Sequence, residues 1–68
     1  MVDRVYKKIT VTGCSEESYE KAIRIAVSKA SESIHGLAWF EVGEMRGGIR
    51  EGGVIEFQAT VEVAFKVD

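Results

Sequence analysis

The sequence predicts an α+β fold in which a three-stranded antiparallel sheet packs on one helix, in the chain order β-α-β-β. Two patterns predict it. Residues 16–34 carry apolar side chains at spacings of three and four, as on one face of a helix, and residues 54–67 alternate between apolar and mostly polar side chains, as in a sheet with one face on a core. With 68 residues, the chain is expected to form a single domain over residues 1–68.

The first strand is predicted over residues 5–12, where β-branched residues are frequent and successive side chains differ in polarity. Gly13 is expected to end this strand. Ser15 is predicted to cap the helix that follows, because its hydroxyl can accept a bond from a backbone N–H group. Glu16 and Glu17 would then lie in the first turn, where the helix dipole favours acidic side chains.

The helix is predicted over residues 16–34 and is expected to stop before Gly36. Its apolar stripe consists of Tyr19, Ala22, Ile23, Ala26, Val27, Ala30 and Ile34. A single stripe of this kind is typical of a helix that covers one face of a sheet.

The second strand is predicted over residues 37–46, and the third over residues 54–67. Gly47 and Gly48 are expected to form a bend between them, and residues 51–53 a turn. A right-handed crossover would make the first and second strands parallel. The third strand would then lie between them or beside the second, and the pattern leaves that choice open.

The small size of the chain predicts association with copies of itself. Ordering a chain costs roughly 1.5 kcal/mol per residue, and domains of this size usually need disulfides, a metal or partner subunits. Cys14 is the only cysteine and His35 the only histidine, so neither an intrachain disulfide nor a structural zinc site is available. A helix of residues 16–34 would extend ~28 Å. The third strand would extend ~47 Å and keep its apolar face throughout, so the sequence predicts a homo-oligomer.

The composition excludes several classes of partner. The formal net charge of −2 disfavours nucleic-acid binding, and Arg46 with Arg50 is too sparse for a basic patch. No apolar run approaches the ~20 residues that cross a membrane, and no secretory signal is recognisable. The lone thiol of Cys14 favours a cytoplasmic location.

Trp39 lies out of phase with the core-facing residues of the second strand. Ala38, Phe40 and Val42 are the expected partners of the helix stripe, so Trp39 is predicted on the helix-free side, where the third strand displays Gln58. The same phase would place Leu37, Glu41, Gly43 and Met45 on the side of Trp39. An exposed indole of this kind indicates an interface or a ligand site. The residues alone leave two readings open: interface filler, or a platform on which a planar ring stacks while an amide binds its polar edge.

Four stretches, taken together, resemble the dodecins, small flavoproteins that assemble as hollow twelve-subunit shells. They are VYKKITVTGCSEESYEKAI near the start, WFEV at 39–42, MRGGI at 45–49 and FQATVEVAFKVD at 57–68. The resemblance implies a β-α-β-β subunit and a homododecamer. It also implies pairs of flavins (FMN, riboflavin or lumichrome) stacked between tryptophans of symmetry-related subunits, with a role in flavin storage, buffering and photoprotection.

The resemblance also implies roles for four residues. Trp39 would be the stacking residue, and Gln58 would form hydrogen bonds to the polar edge of the ring system. Arg46 matches an arginine near the flavin or its phosphate. Lys66 stands where many dodecins carry arginine, and lysine keeps the charge but loses the planar, two-pronged hydrogen bonding. Some bacterial dodecins also bind coenzyme A.

Other residue types carry weaker hypotheses. His35 is expected at the surface near the helix C-terminus rather than as a catalyst, and Cys14 as an inert or solvent-touching thiol with no base nearby. Glu41, Glu44, Glu56 and Glu62 are expected as polar-face residues rather than an acid–base pair or metal site. Small tautomerases use an amino-terminal proline, whereas Val2 follows Met1 here and the chain has no proline. No catalytic residue, no metal ligand and no enzyme activity is therefore predicted. The alternative to flavin storage is an oligomeric coenzyme A carrier or structural protein.

Overall fold

The computed structural model describes residues 3–49, 51–53 and 55–67. Three strands form one sheet in the order β1-β3-β2, and both neighbouring pairs are antiparallel. The elements are β1 (Val5–Ser15), α1 (Tyr19–Ser33), β2 (Leu37–Ile49) and β3 (Ile55–Val67). The predicted chain order and antiparallel sheet are confirmed, and β3 takes the central position that the sequence left open. Val54, predicted as the first residue of the third strand, and Arg50 lie outside the described residues.

The prediction that Gly13 ends the first strand is wrong, because β1 continues to Ser15 and Gly13 pairs with Ala59. Gly13 instead marks the closest approach of helix and sheet. A Cβ atom added there would lie 2.0 Å from the carbonyl oxygen of Ala22 and 3.0 Å from the Cβ of Ala26. Glycine is needed at this position because backbone atoms of α1 occupy the space of a side chain.

Ser18, not Ser15, caps the helix. The Ser18 Oγ accepts a hydrogen bond from the backbone N–H of Lys21 at 3.0 Å, and its backbone is extended (φ −170°, ψ 164°). Ser15 is still part of β1, where it pairs with Phe57, and its Oγ accepts from the backbone N–H of Glu17 at 3.0 Å. Pairing in the sheet therefore delays the helix by three residues relative to the prediction. At the other end, the N–H of Ile34 bonds to the carbonyl of Ala30.

The core lies between α1 and the two strands that it covers, β1 and β3. Its most deeply buried apolar residues are Ala22, Ala26, Ala30, Ala59, Val61 and Val63, and Ala64 is buried on the opposite side of the sheet. The alanines of α1 have short side chains, so the helix sits close to the sheet and directly above its first and central strands.

The helix leaves β2 only partly covered. Phe40 and Val42 pair with Val63 and Val61 and so lie on the helix side, as expected, but they remain 47% and 43% exposed. A groove of about 780 Å³ separates α1 from β2, with Phe40 on one wall and Ile23 and Val27 of the helix stripe among its other lining residues. Phe40 and Val42 therefore lie on the predicted side of the sheet, but the helix of one subunit leaves them partly uncovered.

Two irregularities in β2 change which side its residues face. The register shifts between Leu37 and Trp39 and again between Val42 and Met45. Leu37 thus pairs with Phe65 and Met45 with Ala59, on the helix side, so the expectation that they share the side of Trp39 is wrong.

The glycines after Met45 do not bend the chain. Gly47 and Gly48 continue β2 and pair with Phe57 and Glu56. The chain reverses at residues 51–53, where Gly52 and Gly53 adopt φ of +88° and +83°, a region that favours glycine. The predicted bend at Gly47 and Gly48 is wrong, whereas the predicted turn is confirmed.

The subunit is elongated, with extents of 56 × 20 × 14 Å. Its radius of gyration is 14.3 Å, against about 11 Å for a compact domain of this length. Its accessible surface is 5060 Å², against about 4,250 Å² for a typical monomer of 7.5 kDa. The exposed surface includes the large apolar side chains of Val5, Trp39, Phe40, Val42, Met45, Ile49, Ile55 and Val67. A surface of this kind favours contact with further subunits. Within the described ranges, no helix is long and apolar enough to cross a membrane.

Candidate functional site

The side of the sheet opposite α1, here called the helix-free face, carries most of the polar and aromatic side chains singled out in the sequence. Side chains on this face come from the even-numbered residues of β3 and the residues paired with them. They are Tyr6, Lys8, Thr10, Thr12 and Cys14 of β1, Trp39, Glu41, Arg46 and Gly48 of β2, and Glu56, Gln58, Thr60, Glu62, Ala64 and Lys66 of β3.

Trp39 lies at one end of the helix-free face, opposite Ala64, and is 43% exposed. The predicted position on the helix-free side is confirmed. The indole Nε1–H donates a 2.9 Å hydrogen bond to Oε2 of Glu41. The ring of Tyr6 contacts the indole with 4.8 Å between centroids and an angle of 57° between planes. The indole is thus half exposed and also held by two neighbours.

Glu41 is the centre of a charged network beside the indole. Lys8 Nζ lies 3.3 Å from Glu41 Oε2 and 3.4 Å from Glu62 Oε1, so it bridges two carboxylates. The hydrogen bonds from Trp39 and Lys8 lower the pKa of Glu41 below its ordinary value of 4.5. Hydrogen bonds to Glu41 and Glu62 raise the pKa of Lys8 above its ordinary value of 10.5. Both groups are therefore charged across the neutral range.

Arg46 and Gln58 meet towards the other end of the helix-free face. The Arg46 guanidinium donates to Oε1 of Gln58, and Nε2 of Gln58 donates to Oε1 of Glu56 at 2.7 Å. These contacts orient the Gln58 amide, with its oxygen towards Arg46 and its nitrogen towards Glu56. A Cβ atom added to Gly48 would lie 3.3 Å from Nε2 of Gln58, so the glycine leaves room for this amide.

Within one subunit, the structure does not bring Trp39 and Gln58 together. Trp39 lies opposite Ala64 and Arg46 lies opposite Gln58, six positions further back along β3. Six positions correspond to about 20 Å. The hydrogen-bonded hydroxyls of Thr12 and Thr60 lie between the two ends, 3.1 Å apart. The expectation that the indole lies beside the glutamine is therefore wrong for a single subunit.

Lys66 and Cys14 belong to opposite ends of this face. Lys66 is exposed and lies opposite Tyr6, at the end that holds Trp39. Cys14 is an exposed free thiol opposite Gln58. His35 is exposed between α1 and β2. In the part of the chain that the structure describes, no group of three or more histidine, cysteine or acidic side chains is arranged to hold a metal ion.

Comparison with known proteins identifies the family. Residues 5–68 match the sequence model of the dodecins. The chain belongs to the dodecin family. Dodecins are small binding or storage proteins that form homo-oligomers. The resemblance seen in the sequence is therefore confirmed over nearly the whole chain.

Relatives of this dodecin share both its sequence and its fold. It is 46% identical to dodecin of Thermus thermophilus over 65 residues, which cover 96% of this chain and 94% of the relative. It is 33% identical to calcium dodecin of Mycobacterium tuberculosis, with 93% and 89% covered. The crystal structure of a T. thermophilus dodecin variant with phenylalanine in place of a tryptophan is 44% identical, covers 97% of this chain and 98% of that chain, and gives a TM-score of 0.87. The fold is that of the dodecins.

The sequence alone does not identify Tyr6 and Lys8 as neighbours of Trp39, and it indicates Glu41 only as a polar-face residue. Tyr6 and Lys8 share the phase that points away from the core, which was a usable signal. β1 and β2 of this dodecin are not neighbours in the sheet, so Tyr6 and Lys8 approach the β2 residues across the central strand β3. Predicting this proximity therefore requires the sheet order.

Proposed function

We propose that this dodecin assembles as a hollow homododecamer and stores flavins in slots between subunits. Each slot would use Trp39 to stack on the ring system and the Arg46–Gln58 pair to bind its polar edge. The observation that carries the proposal is the half-exposed Trp39 indole, held at its edge on a face that α1 does not cover. A large aromatic ring in this position is suited to stacking on a second planar ring.

The separation of the two ends of the helix-free face supports a slot shared between subunits. Trp39 and Gln58 are about 20 Å apart along β3, too far for one three-ring system to contact both within a subunit. If two subunits met with their helix-free faces antiparallel, the indole of one would lie near the Arg46–Gln58 pair of the other. Two tryptophans would then enclose a pair of stacked flavins, as the family resemblance implies.

The chemistry of the Arg46–Gln58 pair fits the pyrimidine edge of a flavin. That edge presents an N–H group flanked by carbonyl oxygens, and it needs an acceptor next to donors. Gln58 retains a free lone pair on Oε1 and a second N–H on Nε2 after its bonds to Arg46 and Glu56. The Arg46 guanidinium adds further donors for a carbonyl oxygen or phosphate. Lys66, at the Trp39 end, would supply positive charge to the phosphate of FMN.

Storage in such a slot also explains photoprotection. An excited flavin in van der Waals contact with the indole accepts one electron from Trp39 and returns it, so both groups regain their starting state. The flavin therefore loses its excitation without reacting with oxygen or solvent. This role needs no general base or nucleophile.

The proposal is tested by titrating the purified protein with riboflavin, FMN and lumichrome while flavin fluorescence and the mass of the assembly are measured. We expect strong quenching, one flavin per subunit for a pair of rings between a pair of tryptophans, and a mass of twelve subunits. Coenzyme A serves as the competing ligand. Binding of coenzyme A together with unchanged flavin fluorescence would indicate a coenzyme A carrier and contradict flavin storage.

Replacing Gly48 by alanine tests the polar half of the slot. The new Cβ would lie 3.3 Å from Nε2 of Gln58, so the amide must shift by a few tenths of an ångström from its position beside Arg46 and Glu56. Loss of one hydrogen bond, about 0.5–1.5 kcal/mol, predicts roughly two- to tenfold weaker flavin binding. Gly47→Ala is the matched control, because its Cβ would meet nothing closer than 3.6 Å and would point to the helix side. Equal flavin affinities of the two variants would show that Gln58 does not bind the flavin.

A further inference from the structure

Trp39 is exposed, yet its indole N–H edge and its ring both make contacts within the subunit. An exposed side chain usually samples several rotamers, and ordering it on binding lowers the affinity. Here the indole N–H is bonded to Glu41 at 2.9 Å, and the Tyr6 ring lies 4.8 Å away from the indole centroid to centroid. The orientation of the indole is thus defined before any ligand arrives.

The contact between Tyr6 and Trp39 crosses the central strand. Tyr6 is on β1 and Trp39 on β2, and β3 lies between them. Strands are about 4.8 Å apart, so the two backbones are separated by roughly twice that distance. Ala64 is the β3 residue opposite Trp39, and it is fully buried although it lies on the face without a helix. Its small side chain lets the two rings meet above it.

The carboxylate that holds the indole is itself fixed. Lys8 Nζ binds Glu41 at 3.3 Å from β1 and also binds Glu62 of β3 at 3.4 Å. A continuous chain of contacts therefore runs from Glu62 of β3 through Lys8 of β1 and Glu41 of β2 to the indole N–H. Exposed ion pairs add little to stability by themselves, so the consequence of this arrangement is orientation.

We propose that Tyr6 and Glu41 are positioning residues that hold the Trp39 indole in its stacking orientation in the ligand-free protein. The small side chain of Ala64 leaves room for the Tyr6 and Trp39 rings to meet. The proposal deepens the proposed function and rests on it for its effect on flavin affinity. Tyr6 packs at a tilt beside the indole, and Glu41 holds its N–H edge. Rotation of the ring is thereby restricted while part of its surface stays open to a flavin.

Variants of both residues, each with a conservative rescue, test this positioning role. Trp39 is the only tryptophan, so near-ultraviolet circular dichroism and fluorescence anisotropy report its mobility directly in ligand-free protein. Glu41→Ala and Tyr6→Leu are expected to lower the anisotropy and to weaken flavin binding roughly two- to tenfold, as expected for ordering one side chain. Glu41→Gln retains an acceptor for the indole N–H and Tyr6→Phe retains the ring, so both are expected to restore the signal and the affinity.

The control is Glu32→Ala, which removes an exposed carboxylate paired with Lys29 on the helix. Thermal unfolding of every variant separates a loss of orientation from a loss of fold. If Glu41→Ala and Tyr6→Leu keep the wild-type Trp39 signal, the positioning role is wrong, even if the protein binds flavin. If wild-type protein binds no flavin, the proposed function is wrong, and the ligand-free measurements still decide whether these residues orient the indole.

A pH titration of the Trp39 signal gives a second readout. The pKa of Glu41 is lowered, so its stabilising contribution is fully present above the ordinary value of 4.5 and is lost as the pH falls through the lower value in the folded protein. The groups that face it are Lys8 from β1, Glu62 from β3 and the indole N–H of Trp39. A protonated carboxyl keeps a carbonyl acceptor for the indole N–H, as the amide of Glu41→Gln does, so we expect the wild-type anisotropy below pH 4.5 to approach that of Glu41→Gln and to stay above that of Glu41→Ala. A fall to the Glu41→Ala value in both wild type and Glu41→Gln would exclude Glu41 as its source.

Discussion

Replacing Trp39 by alanine is expected to abolish quenching of flavin fluorescence and to weaken flavin binding by roughly 5- to 150-fold. The estimate takes about 1–3 kcal/mol for each stacking contact between an aromatic side chain and a planar ring. Each flavin of a stacked pair would lose one indole, and the pair would lose both walls of its slot. The large exposed fraction of Trp39 means that its removal opens no cavity in the core, so the fold should persist.

Binding and quenching are separated by measuring each on its own. Ultrafiltration of riboflavin with Trp39→Ala gives the residual affinity, and fluorescence gives the quenching of what remains bound. Trp39→Phe is the matched control, because phenylalanine keeps an aromatic face but is a much poorer electron donor. It should retain more binding than the alanine variant and lose most of the quenching. The T. thermophilus variant with phenylalanine in place of a tryptophan keeps the fold, at a TM-score of 0.87 to this chain. Wild-type quenching by Trp39→Ala would contradict the stacking role.

Replacing Gly13 by alanine is expected to destabilise the subunit by about 3 kcal/mol or more, at or above the upper end of ordinary overpacking. The added Cβ would lie 2.0 Å from the backbone carbonyl oxygen of Ala22, and a backbone atom cannot move aside as the end of a side chain can. Helix α1 would have to move away from β1, which would open the core around Ala26.

Denaturant unfolding followed by circular dichroism measures this effect, at one fixed protein concentration because folding and association are linked. Gly47→Ala is again the control, since 3.6 Å to the nearest atom is ordinary contact. We expect its midpoint to stay close to that of wild type. A Gly13→Ala protein with an unchanged midpoint would show that helix and strand are farther apart in solution than in the structure.

The sequence predicts the elements of this fold better than it predicts their boundaries. Alternation in β3 and the stripe of α1 arise from burial on one side, so they identify the strand, the helix and the side that Trp39 faces. The N-terminal cap of α1, by contrast, cannot be located from the local sequence alone. Ser15 and Ser18 are both suitable capping residues, and the choice depends on the pairing of Ser15 with Phe57 in the sheet. A contact between residues so far apart in the chain leaves no local signal.

The candidate site could be predicted only in part. Counting alternate residues from Phe40 and Val42 would place Arg46 on the helix side, and the register shift between Val42 and Met45 moves it to the side of Gln58. The family resemblance, not the alternation, indicated Arg46. The Tyr6–Trp39 contact depends on two further facts that the pattern leaves open. These are the central position of β3 and the small size of Ala64 between the rings.

The distance between Trp39 and Gln58 along β3 has a thermodynamic consequence for a ligand held between subunits. Such a ligand binds only the associated state, so by mass action it also holds the subunits together. If the proposed shell forms, dilution that dissociates it would release the bound flavins together, and added riboflavin would shift the subunits back towards the closed shell. Flavin binding and subunit association would therefore strengthen each other without any change in the shape of the individual chain.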